Sequence, residues 1–263
     1  MPELPEVETV VRSIEPYIIG RTILHARVSS RRVTRGDFDT TESGLAGATI
    51  RRIRRLGKQI FIDLDRGVLY IHLGMTGKLL WNPPPSKYAR ALLELDNGVL
   101  VFDDIRQFGR FEYFETVPDQ LSQRGPDALL VEFDTFYARL KQRRGSIKAL
   151  LLNQSFLSGV GNIYADELLF AARVHPRAKV ERLSRQRARL IHQHMIETLR
   201  LAVELRGSSI SDYVDAEGAS GEFQDRHRVY GRAGEPCLIC ATPIRRAIVA
   251  QRGTHYCPRC QRP

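Results

Sequence analysis

The spacing of hydrophobic residues divides the chain into a first half rich in strands and a second half rich in helices. Apolar side chains recur every three or four positions from Val7 to Ile18, which predicts a helix that ends between Pro16 and Gly20. Short alternating runs with many β-branched residues follow, and they predict an antiparallel sandwich or flattened barrel. The expected strands are Thr22–Val28, Gln59–Leu64, Val68–Leu73, Arg90–Leu95, Val99–Phe102 and Phe111–Phe114.

The strand pattern ends near residue 125, and helical spacing follows. The expected helices are Asp134–Gln142, Ser146–Asn153, Asn162–Ala172 and Ser184–Arg206. Asp134, Ser146 and Ser184 are suited to cap helix N-termini, and Gly207 is suited to end the last helix. The polar, glycine-containing segment 216–226 is expected to be a loop. We place the domain boundary near residue 130.

The charge of the chain favours a polyanionic partner. Lysine and arginine outnumber aspartate and glutamate by 40 to 30 in 263 residues, which gives a formal net charge of +10. Hydrophobic residues make up 43% of the chain, and no stretch approaches the ~20 apolar residues that span a bilayer. Since no signal-peptide pattern is present either, we expect a cytoplasmic protein without a membrane partner.

All four cysteines lie in two Cys-x-x-Cys pairs near the C-terminus. Cys237 and Cys240 are separated from Cys257 and Cys260 by a span long enough for a β-hairpin. This spacing is typical of a zinc ribbon or finger that holds one ion tetrahedrally. Because four thiolates leave no position for a bound water, the zinc is expected to be structural.

The first eight residues, MPELPEVE, offer a nucleophile. Methionine is usually removed before proline, which would leave Pro2 with a free secondary amine. An α-amino group titrates at about pH 8, so part of it is unprotonated at neutral pH and able to attack a sugar carbon. Glu3 stands beside it as a candidate proton shuttle. The same residues also suit an ordinary acidic helix start, with proline in the first turn and glutamates at the positive end of the dipole.

Two further segments suit phosphate binding. The run LSGVGNIYA at 157–165 places two glycines before a helix, so that backbone amides can face an anion, although an ordinary interhelical turn has the same form. The run RRIRRLGK at 51–58 carries five positive charges. It suits either non-specific attraction to DNA or a solvated strand face.

Taken together, these segments resemble the formamidopyrimidine-DNA glycosylase family from residue 2 to the last cysteine pair. Its members begin PELPEVE, carry GVGNIYA, and have a zinc-finger hairpin similar to the Ala-Gln-Arg run at 250–252. The resemblance implies a two-domain α+β fold. An antiparallel β-sandwich catalytic domain flanked by helices would span 1–130, a helix-two-turns-helix DNA-binding region with a lesion-covering loop 131–226, and a zinc-finger hairpin 227–263. The loop near Glu222 and Phe223 would cover the damaged base.

The resemblance also implies roles for individual residues. Pro2, Glu3 and Lys58 would be catalytic, with Lys58 binding phosphate beside the lesion, and Glu6 would anchor the first helix. The implied DNA contacts are Met75, Arg106, Phe108, Lys148, Asn162 and Arg252. The first three would fill the space left by a flipped-out base, and the last three would bind backbone phosphate.

The chain departs from the family pattern in the loop that carries Arg106 and Phe108. Relatives usually read Asp-Pro-Arg-Arg-Phe-Gly, whereas residues 104–109 read Asp-Ile-Arg-Gln-Phe-Gly. Ile105 and Gln107 therefore bear on loop rigidity and on the preferred base opposite the lesion.

The implied function is a bifunctional base-excision-repair DNA glycosylase and abasic-site lyase. It would remove oxidised purines, such as 8-oxoguanine and formamidopyrimidines, through a Pro2 Schiff base followed by β,δ-elimination. The partner would be double-stranded DNA containing oxidised bases or abasic sites, bound by a bacterial-type, nucleoid-associated monomer with one structural Zn²⁺. One alternative is an endonuclease VIII-like glycosylase for oxidised pyrimidines, a branch that more often begins Pro-Glu-Gly-Pro. The other is a non-catalytic zinc protein that binds damaged DNA.

Overall fold

The computed structural model describes residues 1–35, 38–210 and 213–262, which fold into two compact units. The first unit comprises Met1–Gln123 and Leu205–Glu222, and the second comprises Arg124–Glu204 and Phe223–Pro263. Within the described ranges, no helix has the length and apolar character that a membrane crossing requires.

The first unit is an antiparallel β-sandwich flanked by helices. Its helices are α1 (Leu4–Ile18), α2 (Arg31–Thr34), α3 (Phe38–Leu45) and α4 (Asp119–Ser122). Its strands are β1 (Ile23–Val28), β2 (Ile50–Leu56), β3 (Gln59–Leu64), β4 (Val68–His72), β5 (Gly77–Trp81), β6 (Ala89–Leu95), β7 (Gly98–Asp104) and β8 (Arg110–Phe114). One sheet has the order β1-β6-β7-β5 and the other β2-β3-β4-β8, and each pairing is antiparallel.

Side chains from both sheets and from α1 form one hydrophobic core. Phe102 of β7 and Phe111 of β8 stack across the two sheets with ring centroids 5.8 Å apart. Val7 and Ile14 of α1 are fully buried in the same core. Each such side chain contributes about 1.5–3 kcal/mol by leaving water, so α1 is held firmly and the direction of the N-terminus is fixed.

The structure confirms the first helix and the six predicted strands and adds elements that the pattern did not predict. Strand β2 was read only as a charged run, because four arginines mask the buried Ile50 and Ile53. Strand β5 is too short to show clear alternation. Helix α3 reads FDTTESGL, and its threonines and glycine have low helix propensity, so its helical state comes from tertiary packing.

The second unit combines helices with a C-terminal hairpin. Its elements are α5 (Phe133–Lys141), α6 (Ile147–Leu152), α7 (Asn162–Ala171), α8 (Arg185–Glu204), β9 (Arg245–Val249) and β10 (Arg252–Tyr256), with 3₁₀ turns at Val180–Arg182 and Phe223–Arg226. The four predicted helices are confirmed. Ser184 caps α8, because its Oγ accepts the Arg187 N–H at 3.2 Å.

The predicted cap at Asp134 is wrong. Glu132 occupies the N-cap position, and Asp134 lies inside the first turn of α5. The helix begins earlier because Phe133 and Tyr137, one turn apart, stack with ring centroids 5.8 Å apart. Asp134 pairs instead with Arg185, at 2.7 Å.

The segment 205–222 was predicted within the second region, but the structure places it in the first unit. The Ser208 N–H donates to Glu6 Oε1 at 2.8 Å, and the Trp81 N–H donates to Ala216 O at 2.9 Å. Since Glu6 and Ser208 are 202 residues apart in sequence, no local pattern could indicate this return of the chain.

Candidate active site and nucleic-acid interface

The N-terminus of α1 holds Pro2 and Glu3 in a buried position. Glu3 is the N-cap residue, and its side chain accepts the N–H of Glu6 while Glu6 Oε2 accepts the Glu3 N–H at 2.7 Å. This reciprocal pair is a capping box, formed here by two glutamates. Pro2 is buried and Glu3 is 4% exposed, whereas Met1 before them is exposed. The helix start therefore fixes the peptide that carries the predicted nucleophile and proton shuttle.

Glu6 also binds the returning segment 205–222. Its Oε1 accepts the Ser208 N–H at 2.8 Å, and the Tyr213 hydroxyl donates to Glu6 O at 3.3 Å. Gly207 has a φ of 80°, and a Cβ at that position would lie 2.7 Å from Glu6 Oε1. Only glycine fits both the left-handed backbone and the space. A buried carboxylate thus ties the N-terminus of α1 to the start of this segment.

Lys58 lies in the turn between β2 and β3, and this turn is fastened to α1. Arg55 Nε donates to Glu8 Oε2 at 2.7 Å, and its Nη1 donates to Gly57 O at 2.9 Å. Burial raises the pKa of Glu8, but the ion pairs with Arg55 and Arg12 outweigh it, so that the pKa lies below its ordinary value. The contact brings the first turns of α1 beside the turn that carries Lys58, which is 8% exposed.

Arg54 and Arg55 of the basic run make ion pairs inside the protein. Arg54 Nε lies 2.8 Å from Asp63 Oδ2, and its guanidinium lies 4.5 Å from the centroid of the Phe61 ring. The Arg55 ion pair engages a second charge. Arg51 and Arg52 are exposed. Of the four arginines, these two are the ones placed to attract DNA non-specifically.

The two loops predicted to supply filler residues lie against each other. One follows β4 and the other follows β7. A Cβ on Gly74, whose φ is 61°, would lie 2.6 Å from the Gly109 nitrogen. Thr76 Oγ1 donates to Asp104 Oδ1 at 2.6 Å, and Asp104 Oδ2 accepts the Gly109 N–H at 2.8 Å. Since Asp104 is fully buried, these charge-assisted hydrogen bonds hold the two loops as one unit.

We call these two loops, residues 73–76 and 105–109, the filler loops. They expose the three side chains predicted to fill the space of the extruded base. Met75 is 42% exposed and Phe108 is 56% exposed. The Arg106 guanidinium carbon lies 4.7 Å from the centroid of the Phe108 ring, a cation–π distance. Large apolar side chains that stand in water beside a cation are suited to contact stacked bases.

The two residues that depart from the family pattern, Ile105 and Gln107, have distinct environments in the structure. Gln107 has a φ of 55°, in the left-handed region, and its Oε1 accepts the Ser30 hydroxyl at 2.7 Å. Ile105, at the position of the usual proline, is 44% exposed. Gln107 thus links the filler loops to the segment that precedes α2.

In the second unit, Lys148, Asn162 and the hairpin meet at one carbonyl. Asn162, the first residue of α7, donates through Nδ2 to Gly253 O at 2.9 Å, and Lys148 Nζ lies 3.4 Å from the same oxygen. Gly253 follows Arg252 in β10, so the exposed Arg252 projects from a strand fastened to the N-terminus of α7. The three predicted phosphate-binding residues are thereby gathered.

The environment of Lys148 differs from that of a surface phosphate ligand. Its side chain is fully buried, and Nζ donates to Asp166 Oδ1 at 2.6 Å and to Thr254 Oγ1 at 2.8 Å. Asp166 Oδ2 also accepts the His255 N–H at 2.8 Å. The ammonium group therefore joins α6, α7 and β10, and direct phosphate contact by Lys148 stays a prediction.

The tip of the hairpin has an unusual backbone. Ala250 and Gln251 have φ values of 51° and 59°, so two consecutive residues with side chains occupy the left-handed region. A two-residue turn of this kind usually contains glycine or asparagine. Strained positions of this type cluster at functional sites, and here the strain adjoins Arg252.

The four cysteines form a site that fits one structural zinc. Their Sγ atoms all lie within 4.8 Å of one another, with separations of 3.4 Å for Cys240–Cys260 and 3.9 Å for Cys237–Cys260. A tetrahedral ion with Zn–S bonds of about 2.3 Å requires Sγ separations of about 3.8 Å. Bound zinc would clasp the two ends of the hairpin segment and would leave no position for water.

Sequence reasoning also missed the buried carboxylate of Glu167. Glu167 of α7 is 1% exposed and accepts the N–H groups of Arg228, Val229 and Tyr230 at 2.8–3.1 Å. Burial raises its pKa above the ordinary value, against the lowering effect of the three amides. It looks like an ordinary helix glutamate in sequence, so no signal marked it.

Phe223, predicted beside the damaged base, is 3% exposed and packs on Tyr164.

Comparison with known proteins places this architecture in one family. The formamidopyrimidine-DNA glycosylase N-terminal domain matches residues 1–111, the H2TH domain of the same glycosylase matches 124–214, and a zinc finger found in FPG and IleRS matches 234–263. The fold and the zinc site define a zinc-finger DNA-repair glycosylase. The chain belongs to the formamidopyrimidine-DNA glycosylase family, a membership consistent with base excision repair.

The similarity to individual relatives extends over the full length of the chain. The formamidopyrimidine-DNA glycosylase of Solibacter usitatus is 54% identical over 264 residues, covering 100% of both chains. The crystal structure of the MutM (Fpg) protein from Thermus thermophilus has a TM-score of 0.89 at 40% identity, covering 99% of this chain and 98% of that one. A Lactococcus lactis Fpg complex with abasic-site DNA has a TM-score of 0.90 at 35% identity, covering 99% of this chain and 100% of that one.

Proposed function

We propose that this chain is a bifunctional glycosylase and lyase that excises oxidised purines, such as 8-oxoguanine and formamidopyrimidines, from double-stranded DNA. The observation that carries the proposal is the helix start, in which Pro2 directly precedes a buried Glu3 held by Glu6. Lactococcus lactis relatives, whose structures contain abasic or Fapy-dG DNA, support the substrate class. The protein would act as a monomer in the cytoplasm, at the nucleoid.

The proposed chemistry begins once Met1 has been removed. The lone pair of the Pro2 nitrogen forms a bond to C1′, the glycosidic bond breaks, and the base leaves with its electron pair and takes up the proton that the Pro2 nitrogen loses. Glu3 protonates the ring oxygen, which opens the sugar and yields an iminium. The iminium accepts electrons as Glu3 takes a proton from C2′, so that the 3′ phosphate leaves in β-elimination. A second elimination then removes the C4′ proton and expels the 5′ phosphate, and water hydrolyses the remaining iminium to restore the free Pro2 amine.

Other residues would hold the DNA during these steps. Lys58 would bind phosphate beside the lesion, and the filler loops would occupy the space of the extruded base through Met75, Arg106 and Phe108. Asn162 and Arg252 would bind backbone phosphate in the second unit. The helix N-terminus at Asn162 supports this assignment because the positive end of the helix dipole favours an anion.

Activity on defined duplexes tests the proposal. We expect strand cleavage at 8-oxoguanine with phosphate left on both ends of the gap, and slower excision of thymine glycol. Faster excision of thymine glycol would favour the endonuclease VIII-like alternative, and tight binding without cleavage would favour a non-catalytic protein. Glu3→Gln should slow turnover about 10²–10⁴-fold, the usual contribution of general acid–base catalysis. The exposed Glu15 lies on the same helix, so Glu15→Gln is the matched control and should keep the wild-type rate.

A further inference from the structure

A basic cavity of about 550 Å³ lies in the second unit beside the zinc site. Four arginines line it, Arg173, Arg187, Arg259 and Arg262, together with Ile239 and the edge of the cysteine cluster. No aspartate or glutamate among the described residues lines this cavity. The predicted DNA contacts do not include any of these arginines.

The walls of the cavity are fastened to each other by the backbone. Arg262 O accepts the His175 N–H at 3.3 Å, and the fully buried Gln261 donates through Nε2 to Val174 O at 3.0 Å. Arg187 reaches the Arg262 carbonyl from α8, at 3.5 Å. Hydrogen bonds therefore join three segments: the one after α7, the start of α8, and the residues that follow Cys260. The shape of the cavity is set by the fold.

The arginines carry more positive charge than is needed to neutralise the zinc–thiolate site. Four thiolates with one Zn²⁺ carry a formal charge of −2, whereas the four guanidinium groups carry +4. Without counting Arg187, which also bonds elsewhere, the other three guanidinium groups leave a net charge of +1 after the zinc site is neutralised. Guanidinium groups bind the oxygens of oxyanions through two parallel hydrogen bonds, and phosphate is an oxyanion that suits a lining of several arginines.

Arg173 occupies a position that normally favours glycine. It is the first residue beyond the cap of α7, and its φ is 54°. The Arg173 N–H donates to Phe170 O at 3.0 Å and the Val174 N–H donates to Leu169 O at 2.9 Å, which together form a Schellman motif. Glycine would avoid the strain of this conformation. Residues with side chains in the left-handed region are common at functional sites, and here such a position carries one of the four arginines.

The cavity is distinct from the phosphate contacts predicted at the other end of α7. Asn162 begins this helix and Arg173 follows its end, and at 1.5 Å per residue they lie roughly 16 Å apart. We propose that the four arginines form a second phosphate-binding site, which takes a backbone phosphate of duplex DNA away from the damaged nucleotide. This role rests on the proposed repair function: the site would strengthen non-specific DNA binding during the search for lesions.

The test is the salt dependence of binding to an undamaged duplex, measured on the zinc-loaded protein. Each phosphate contact contributes a slope of about −0.9 in a plot of log K against log salt, which corresponds to roughly five-fold in affinity at 0.15 M salt. Arg173→Gly with Arg259→Gln should flatten the slope by about 0.9 and weaken binding to the same extent. Arg200→Gln, an exposed charge near the other end of α8, is the matched control for lost charge and should give a smaller change.

Two further readouts complete the test. Arg173→Gly alone should raise the thermal midpoint while it weakens DNA binding, so that a binding loss does not arise from unfolding, and zinc content should be unchanged. If the slope is unchanged but pyrophosphate stabilises the wild type and not the double variant, the site binds free phosphate rather than DNA, and the proposed role in DNA binding is overturned. If neither duplex nor pyrophosphate distinguishes the variant from the wild type, the arginines only balance the thiolates and the whole proposal is overturned.

Discussion

Removal of one hydroxyl group should uncouple the filler loops. In Thr76→Val, the buried Asp104 loses the 2.6 Å hydrogen bond from Thr76 Oγ1 and keeps the N–H groups of Gly109 and Arg106. Hydrogen bonds to a charged group contribute about 1.5–3 kcal/mol, so the free energy of unfolding should fall by about 2 kcal/mol. For a unit of this size the thermal midpoint should drop by roughly 4–8 °C.

The functional consequence concerns the base opposite the lesion. Since Arg106 is placed by the same loop, its contact with the orphaned base should become less specific in Thr76→Val. We expect the ratio of single-turnover excision rates for 8-oxoguanine opposite cytosine and opposite adenine to move toward one. Thr76→Ser keeps the hydroxyl and should retain most of this ratio. Wild-type stability and an unchanged ratio in Thr76→Val would refute the coupling.

Three further predictions concern stability. The pKa of Glu8 is lowered in the folded state, so its ion pair with Arg55 stabilises the protein above about pH 5 and this contribution is lost as the pH falls through the folded pKa. Denaturant unfolding should therefore show a difference of about 1 kcal/mol between wild type and Glu8→Gln that is constant near neutrality and shrinks below pH 4.5. Lys148→Met leaves Asp166 buried without its cation and should lower the free energy of unfolding of the second unit by about 3–5 kcal/mol, measured in the same way. Ala250→Gly relieves a left-handed φ of 51° and should raise thermal stability by up to about 1 kcal/mol, measured by calorimetry.

Each of these has a control in the same chain. Glu15→Gln removes an exposed carboxylate from the same helix and should show no matching pH dependence. Lys148→Met combined with Asp166→Leu should recover part of the loss, because no uncompensated charge remains; no recovery would argue against the buried pair. A loss of stability in Ala250→Gly would contradict the strain at the hairpin tip.

The sequence predicted those parts of the site that depend on local chemistry. Pro2 and Glu3 directly precede a helix whose apolar face was visible from its spacing, and the cysteine pairs alone indicated a tetrahedral metal site. The gathering of four Sγ atoms follows directly from the spacing of the two pairs and the hairpin between them. Local rules sufficed in these cases because each group is placed by its near neighbours.

What the sequence could not predict depends on contacts between distant residues. The return of Ser208 to Glu6 and the Glu8–Arg55 pair join segments that no periodicity connects. The burial of Lys148 against Asp166 is of the same kind, since a lysine in the first turn of a helix normally has its ammonium group in solvent. Isolated sequence patterns contain no information on which distant polar group will satisfy a buried charge.

Reductive trapping tests the central claim most directly. The protein is incubated with a duplex containing 8-oxoguanine in the presence of borohydride, and the covalent adduct is digested and mapped by mass spectrometry. The account predicts a peptide that begins at Pro2, lacks Met1 and carries the reduced sugar on its terminal nitrogen. An adduct on Lys58, or full cleavage by protein that retains Met1, would contradict it.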